Sequence, residues 1–118
     1  MRRITIFPLL LLALLLGACD DVSGLGARSV DGDWLARIDG EEVFMSLRDD
    51  RGEIRGTGAW GWDEALVTGD RFDSEVDLRF TFDRYEPIEI EGVVRGNEID
   101  GRVYGSGYDG ERVRFERR

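Results

Sequence analysis

The sequence predicts an all-β protein: a small antiparallel up-and-down meander that closes into an eight-stranded β-barrel, preceded by an N-terminal signal helix. Three observations predict it. Val76, Leu78, Phe80 and Phe82 alternate strictly with Asp77, Arg79, Thr81 and Asp83, the period-two pattern of a half-buried strand. Short turn signals recur between such runs, among them Asp39-Gly40, Asp49-Asp50-Arg51-Gly52, Arg84-Tyr85-Glu86-Pro87, Gly96-Asn97 and Asp109-Gly110. No helical pattern of ten or more residues follows the N-terminal apolar run.

Eight strands follow in order, at 33–39, 42–48, 53–60, 65–71, 75–83, 88–95, 98–105 and 111–117. The second carries Val43, Met45 and Leu47 on one face, the sixth Ile88, Ile90 and Val94, and the eighth Val113 and Phe115. Turns this short join antiparallel neighbours. Closing the sheet removes its two edges, and eight strands enclose a space that side chains can fill or that can hold one small ligand. The expected inward set is Trp34, Ile38, Val43, Met45, Leu47, Ile54, Trp60, Val76, Leu78, Phe80, Phe82, Ile88, Ile90, Val94, Ile99, Val103, Val113 and Phe115. Gly56, Gly58, Gly92, Gly101 and Gly105 share that register and are read as bends and gaps between the large side chains. The outward positions are rich in Asp, Glu and Arg, unlike the apolar outer band of a lipid-embedded barrel.

Residues 1–18 are laid out as a signal peptide: Arg2 and Arg3, an apolar run from Ile4 to Leu16, then small residues. The run is shorter than the ~20 residues that span a ~30 Å hydrocarbon core. Leu16-Gly17-Ala18-Cys19 resembles the lipobox of bacterial lipoproteins. The resemblance implies that the Cys19 thiol carries a diacylglycerol, that the chain is cut before it, and that the new N-terminus is acylated. It further implies a bacterial cell membrane location facing the periplasm. Asp20 resembles an inner-membrane retention signal, with the outer membrane as the alternative. Residues 19–30 then form the lipidated cysteine and a flexible tether, containing Gly24 and Gly26, and residues 31–118 the barrel.

Cleavage leaves 100 residues, enough for one domain, with 14 arginines against 25 acidic residues. Such a surface repels phosphate backbones and anionic headgroups, so nucleic acid is not an expected partner and the lipid is the expected membrane anchor. A basic envelope protein would be attracted. The protein is expected to be a monomer. The chain has no His and no Lys, and its single cysteine is assigned to lipid. Imidazole bases, Schiff-base amines, thiolate nucleophiles and histidine or cysteine metal sites are therefore excluded. No enzyme activity, no cofactor and no metal is expected.

Two G-x-G-x-x-G matches, 56–61 and 105–110, lack the helix that a dinucleotide fingerprint requires and are read as barrel bends and a hairpin. Asp31-Gly32-Asp33, Asp49-Asp50 and Asp63-Glu64 do not match the calcium-loop spacing and are read as solvated surface. Trp60-Gly61-Trp62 is the strongest local candidate. Alternation puts Trp60 inward and leaves Trp62 at the rim, where with Tyr85 or Tyr108 it could stack on a sugar or anchor a protein partner.

These readings favour a lipid-anchored, non-catalytic binding or interaction module. The alternative is a carrier of a small apolar ligand: the architecture resembles the calycins (lipocalins and avidins), and Gly32-Asp33-Trp34 is similar to their G-x-W. A minor alternative comes from acidic lipoprotein barrels that inhibit c-type lysozyme. Ser106-Gly107 resembles the start of their Ser-Gly-x-x-Tyr motif, but Gly110 stands where the Tyr belongs and no disulfide can form.

Overall fold

A computed structural model describes residues 29–118. The expected signal segment and Cys19 lie outside the described residues. Eight strands follow one another: β1 (Gly32–Ile38), β2 (Glu41–Asp50), β3 (Glu53–Trp60), β4 (Asp63–Phe72), β5 (Glu75–Thr81), β6 (Ile88–Arg95), β7 (Glu98–Gly105) and β8 (Tyr108–Arg117). Each pairs antiparallel with the next, and the last returns to the first, so the sheet is a closed barrel. The closing seam is short: Trp34 opposes Arg117 and Leu35 opposes Glu116, and the Arg118 N–H donates to the Asp33 carbonyl at 2.9 Å. The architecture is consistent with a calycin-like fold.

Alternation decides which side chains fill the barrel. Of the expected inward set, all but Phe82 are buried. Phe82 lies just past the end of β5, which stops at Thr81, and only packs against the outside of the core. The core also takes Val30, Ala36, Ala65 and Val67. Val30, which the sequence places at the end of the tether, has a fully buried side chain and a carbonyl that accepts the Trp34 indole N–H at 2.8 Å, so it packs as part of the barrel. Trp34, Phe80, Phe115 and Met45 are the largest fully buried side chains.

The glycines on the inward face do two different things. At Gly56 a methyl group would collide with the Ser46 backbone carbonyl, so the neighbouring strand passes too close for any side chain and the sheet bends there. At Gly58 it would meet the Phe44 backbone carbonyl at 2.7 Å and also the ring of Phe80 at 2.9 Å, so here the close strand leaves room that Phe80 fills.

The last hairpin differs from expectation. Its two-residue turn is Ser106 (φ 56°) and Gly107 (φ 98°), not Asp109-Gly110. Left-handed backbone at both positions is the geometry that matches strand twist. A turn at Ser106-Gly107 lets β8 start at Tyr108, three residues early. Tyr104 then opposes Asp109 and Val103 opposes Glu111, so Gly110 is a bulge without an opposing residue.

One end of the barrel is locked by polar contacts. Arg117 donates to the carbonyls of Ser29, Asp31 and Gly96 and to the Asn97 side chain, and its guanidinium lies 4.3 Å from the centre of the Trp34 ring. Asp49 accepts from the N–H groups of Val30 (3.0 Å) and Gly52 (2.9 Å) and from Arg71 Nε at 2.6 Å, with its side chain 1% exposed. Burial pushes the Asp49 carboxyl up, but the Arg71 guanidinium and the two backbone N–H groups outweigh it and hold its pKa below the usual value. Asp49→Ala should cost about 3–5 kcal/mol at neutral pH, because it leaves the Arg71 guanidinium without its carboxylate and two N–H groups without their acceptor. The deficit should be complete above the ordinary carboxylate pKa of about 3.9 and shrink as pH falls through the lower folded value, where Asp49 itself gains a proton. Urea unfolding of both proteins across that range checks the sign. A deficit that grows on acidification would contradict this reading.

Candidate binding rim

The meander sorts the turns to two ends. Residues 29–31, the turns at 51–52, 73–74 and 96–97 and the C-terminus share one end, where Arg117 and Asp49 sit. The turns at 39–40, 61–62, 82–87 and 106–107 share the other. Trp62, Tyr85 and Tyr108 all belong to this second end, which we call the rim.

Trp62 is put there by a tight turn. Trp60 opposes Asp63, leaving Gly61 (φ 63°) and Trp62 as the loop, and the Gly61 N–H donates to the Glu42 carbonyl at 2.8 Å. Trp60 points into the barrel and is 5% exposed, while Trp62 is 99% exposed. An indole left so open gains nothing from folding.

The longer β5–β6 connection brings Tyr85 to the same place. Trp62, Phe82 and Tyr85 line a groove of about 280 Å³ together with Asp63, Glu64, Asp83 and Arg84. Tyr85 is 55% exposed. A line of ring contacts ties this groove to the core: Tyr85 meets Phe82 edge-on at 6.3 Å, Phe82 stacks on Phe80 at 6.4 Å, and Phe80 meets Trp60 edge-on at 5.2 Å. The floor of the groove is therefore continuous with packed interior.

Tyr108 is not part of the groove. Its ring lies 5.7 Å from that of Trp60, and its hydroxyl accepts the Trp60 indole N–H at 3.4 Å. It serves the core by satisfying a buried donor. Of the three residues proposed for the rim, the structure thus joins Trp62 with Tyr85 and sets Tyr108 apart. Phe82 takes the third place, and no sequence signal separated it from the inward run that precedes it.

The other acidic clusters do different work. Asp31 and Asp49 accept backbone N–H groups at the end away from the rim. Among the described residues no group of three acidic side chains is arranged to hold a metal ion. Both G-x-G-x-x-G matches lie in strands and hairpin turns.

Together these features define an acidic, closed β-barrel with a packed interior and one aromatic rim. No family model, no curated protein and no solved structure matches this chain.

Proposed function

We propose that the protein is a lipid-anchored, non-catalytic binding module of the bacterial envelope, attached through Cys19 and contacting its partner through the Trp62–Tyr85 rim. The signal peptide and lipobox pattern of residues 1–19 support the anchor. The observation that carries the binding reading is the nearly complete exposure of Trp62 beside Tyr85, at the end opposite the one from which the N-terminal segment leaves. With the anchor on Cys19, the rim on this reading faces away from the membrane. An internal carrier site is less well supported, because Trp34, Trp60, Phe80 and Phe115 occupy the interior.

Trp62→Ala tests the rim. Unfolding free energy should change by no more than about 0.5 kcal/mol, as for an exposed side chain. Recovery of cross-linked envelope partners should fall several-fold. Loss of stability together with unchanged recovery would assign Trp62 to the fold and remove the rim from the account.

A further inference from the structure

We infer that the rim groove and the strip of outer wall below it form one docking site for a basic peptide segment of a partner protein, with an apolar side chain placed about three residues from an arginine or lysine. This rests on the rim reading above and specifies the kind of partner.

The wall is charged at most outward positions. β5 presents Glu75, Asp77 and Arg79, and β8 presents Arg112, Arg114 and Glu116. The exception lies directly under the rim. Phe44 opposes Ala59, Ser46 opposes Thr57, Thr57 opposes Leu66, and Leu66 opposes Thr81, so six outward positions on four adjacent strands carry no charge. Leu66 is 62% exposed at the centre of this strip. A groove of about 510 Å³ runs over it, and Glu64 and Asp83 at its upper edge also line the 280 Å³ rim groove. The two grooves meet at two carboxylates.

Those carboxylates are uncommitted. Elsewhere on the wall Arg79 pairs with Glu89 at 2.8 Å and Arg114 with Asp100 at 3.0 Å. Asp63, Glu64 and Asp83 hold no ion pair or side-chain hydrogen bond among the described residues, and Arg84 is the one cation lining their groove. Free carboxylates lining one groove with Trp62 and Tyr85 suit a guanidinium or ammonium group, which gains from both. An anionic ligand meets repulsion from three carboxylates.

The strip fixes the second feature. A small cation would leave Leu66 and Phe44 uncovered, whereas a peptide reaches both. From Asp63 to Leu66 the strand rises about 10 Å, the span of three extended residues. The barrel is closed and offers no free strand edge there, so recognition falls to side chains and not to an added strand.

The test uses the full chain in neutral detergent and three synthetic amides: acetyl-Arg-Arg-Ser-Leu-Leu, acetyl-Glu-Glu-Ser-Leu-Leu and acetyl-Arg-Arg-Ser-Ser-Ser. The Trp62 indole N–H resonance, identified by its absence in Trp62→Phe, reports binding. The first amide should bind at least about tenfold tighter than either other, and less tightly as salt rises. Leu66→Ser, an outward change that leaves the spectrum of the fold intact, should reduce the first amide to the level of the third. Equal binding of the acidic amide, or no response of Trp62 to the first, overturns the inference. So do concentration-dependent shifts at Leu66 without peptide, which would mean that a second copy covers the strip. If the peptides fail while Trp62→Ala still loses its cross-linked partners, only the partner class is wrong. If Trp62→Ala keeps them, the rim reading falls and takes this inference with it.

Discussion

Phe80→Asp is expected to abolish the folded barrel. Phe80 has no exposed surface and fills the gap left by Gly58, and it touches Trp60 edge-on. Losing the ring removes about 3–5 kcal/mol of packing and leaves a cavity. The carboxylate then has no partner, because the core cluster around Phe80 is made of hydrophobic side chains. It must be neutralised or drag water in, at a further cost of several kcal/mol. Against a typical total of about 5–15 kcal/mol, little stability remains. Arg79→Ala, one residue away, removes an exposed guanidinium whose bond to Glu89 joins two half-exposed side chains and is worth about 0.2–1 kcal/mol. Circular dichroism and urea unfolding of the two variants should therefore differ sharply. A reversed order would mean that β5 is slipped by one residue, with its inward and outward sets exchanged.

Cys19→Ala is expected to move the protein from membranes to the soluble periplasmic fraction. The outer wall of the barrel carries Asp, Glu and Arg, and the 14 arginines after residue 18 face 25 acidic residues, so the surface has no attraction for anionic headgroups. Nor does the wall have the apolar belt that would embed it. Two acyl chains hold a protein where one gives only marginal binding, so under the proposed anchoring through Cys19 its loss would remove attachment outright. Detergent phase partitioning reads this directly: the wild-type chain should enter the detergent phase and the variant the aqueous phase. A variant that still partitions with detergent would show a second anchor and undo the lipoprotein argument.

The fold was legible because alternation and turn chemistry agree along most of the chain. Val76, Leu78 and Phe80 announce both a strand and its inward face, and β3, β6 and β7 have the residues expected of them. Ambiguity arose where two signals competed. Asp109-Gly110 carries the stronger two-residue turn signal, yet the pairing of Gly105 with Tyr108 puts the turn at Ser106-Gly107. Ala65 and Val67 flank Leu66, so three apolar residues run together and alternation alone does not say which faces out. Their register against Gly58 and Gly56 on β3 settles it.

The site was less legible than the fold. Exposure of Trp62 follows from one turn and the parity of one strand. Its neighbours do not follow, because Tyr85, Phe82 and Tyr108 sit in or beside connections whose course depends on packing. Tyr108 found a buried indole to satisfy, and Phe82 lost its strand partner one residue too early to enter the barrel. Asp49 looked like surface in an Asp-Asp turn, and its burial depends on Val30 and Arg71, 19 and 22 residues distant.

Contact through the rim, facing away from the membrane, is the central claim. Photocross-linking in intact cells tests it most directly, with a photoreactive phenylalanine analogue placed in turn at Trp62, at Arg112 on the far wall and at Asp73 at the opposite end. The account predicts adducts with an envelope protein from position 62 and none from 112 or 73. Adducts from 112 or 73 with none from 62 would contradict it.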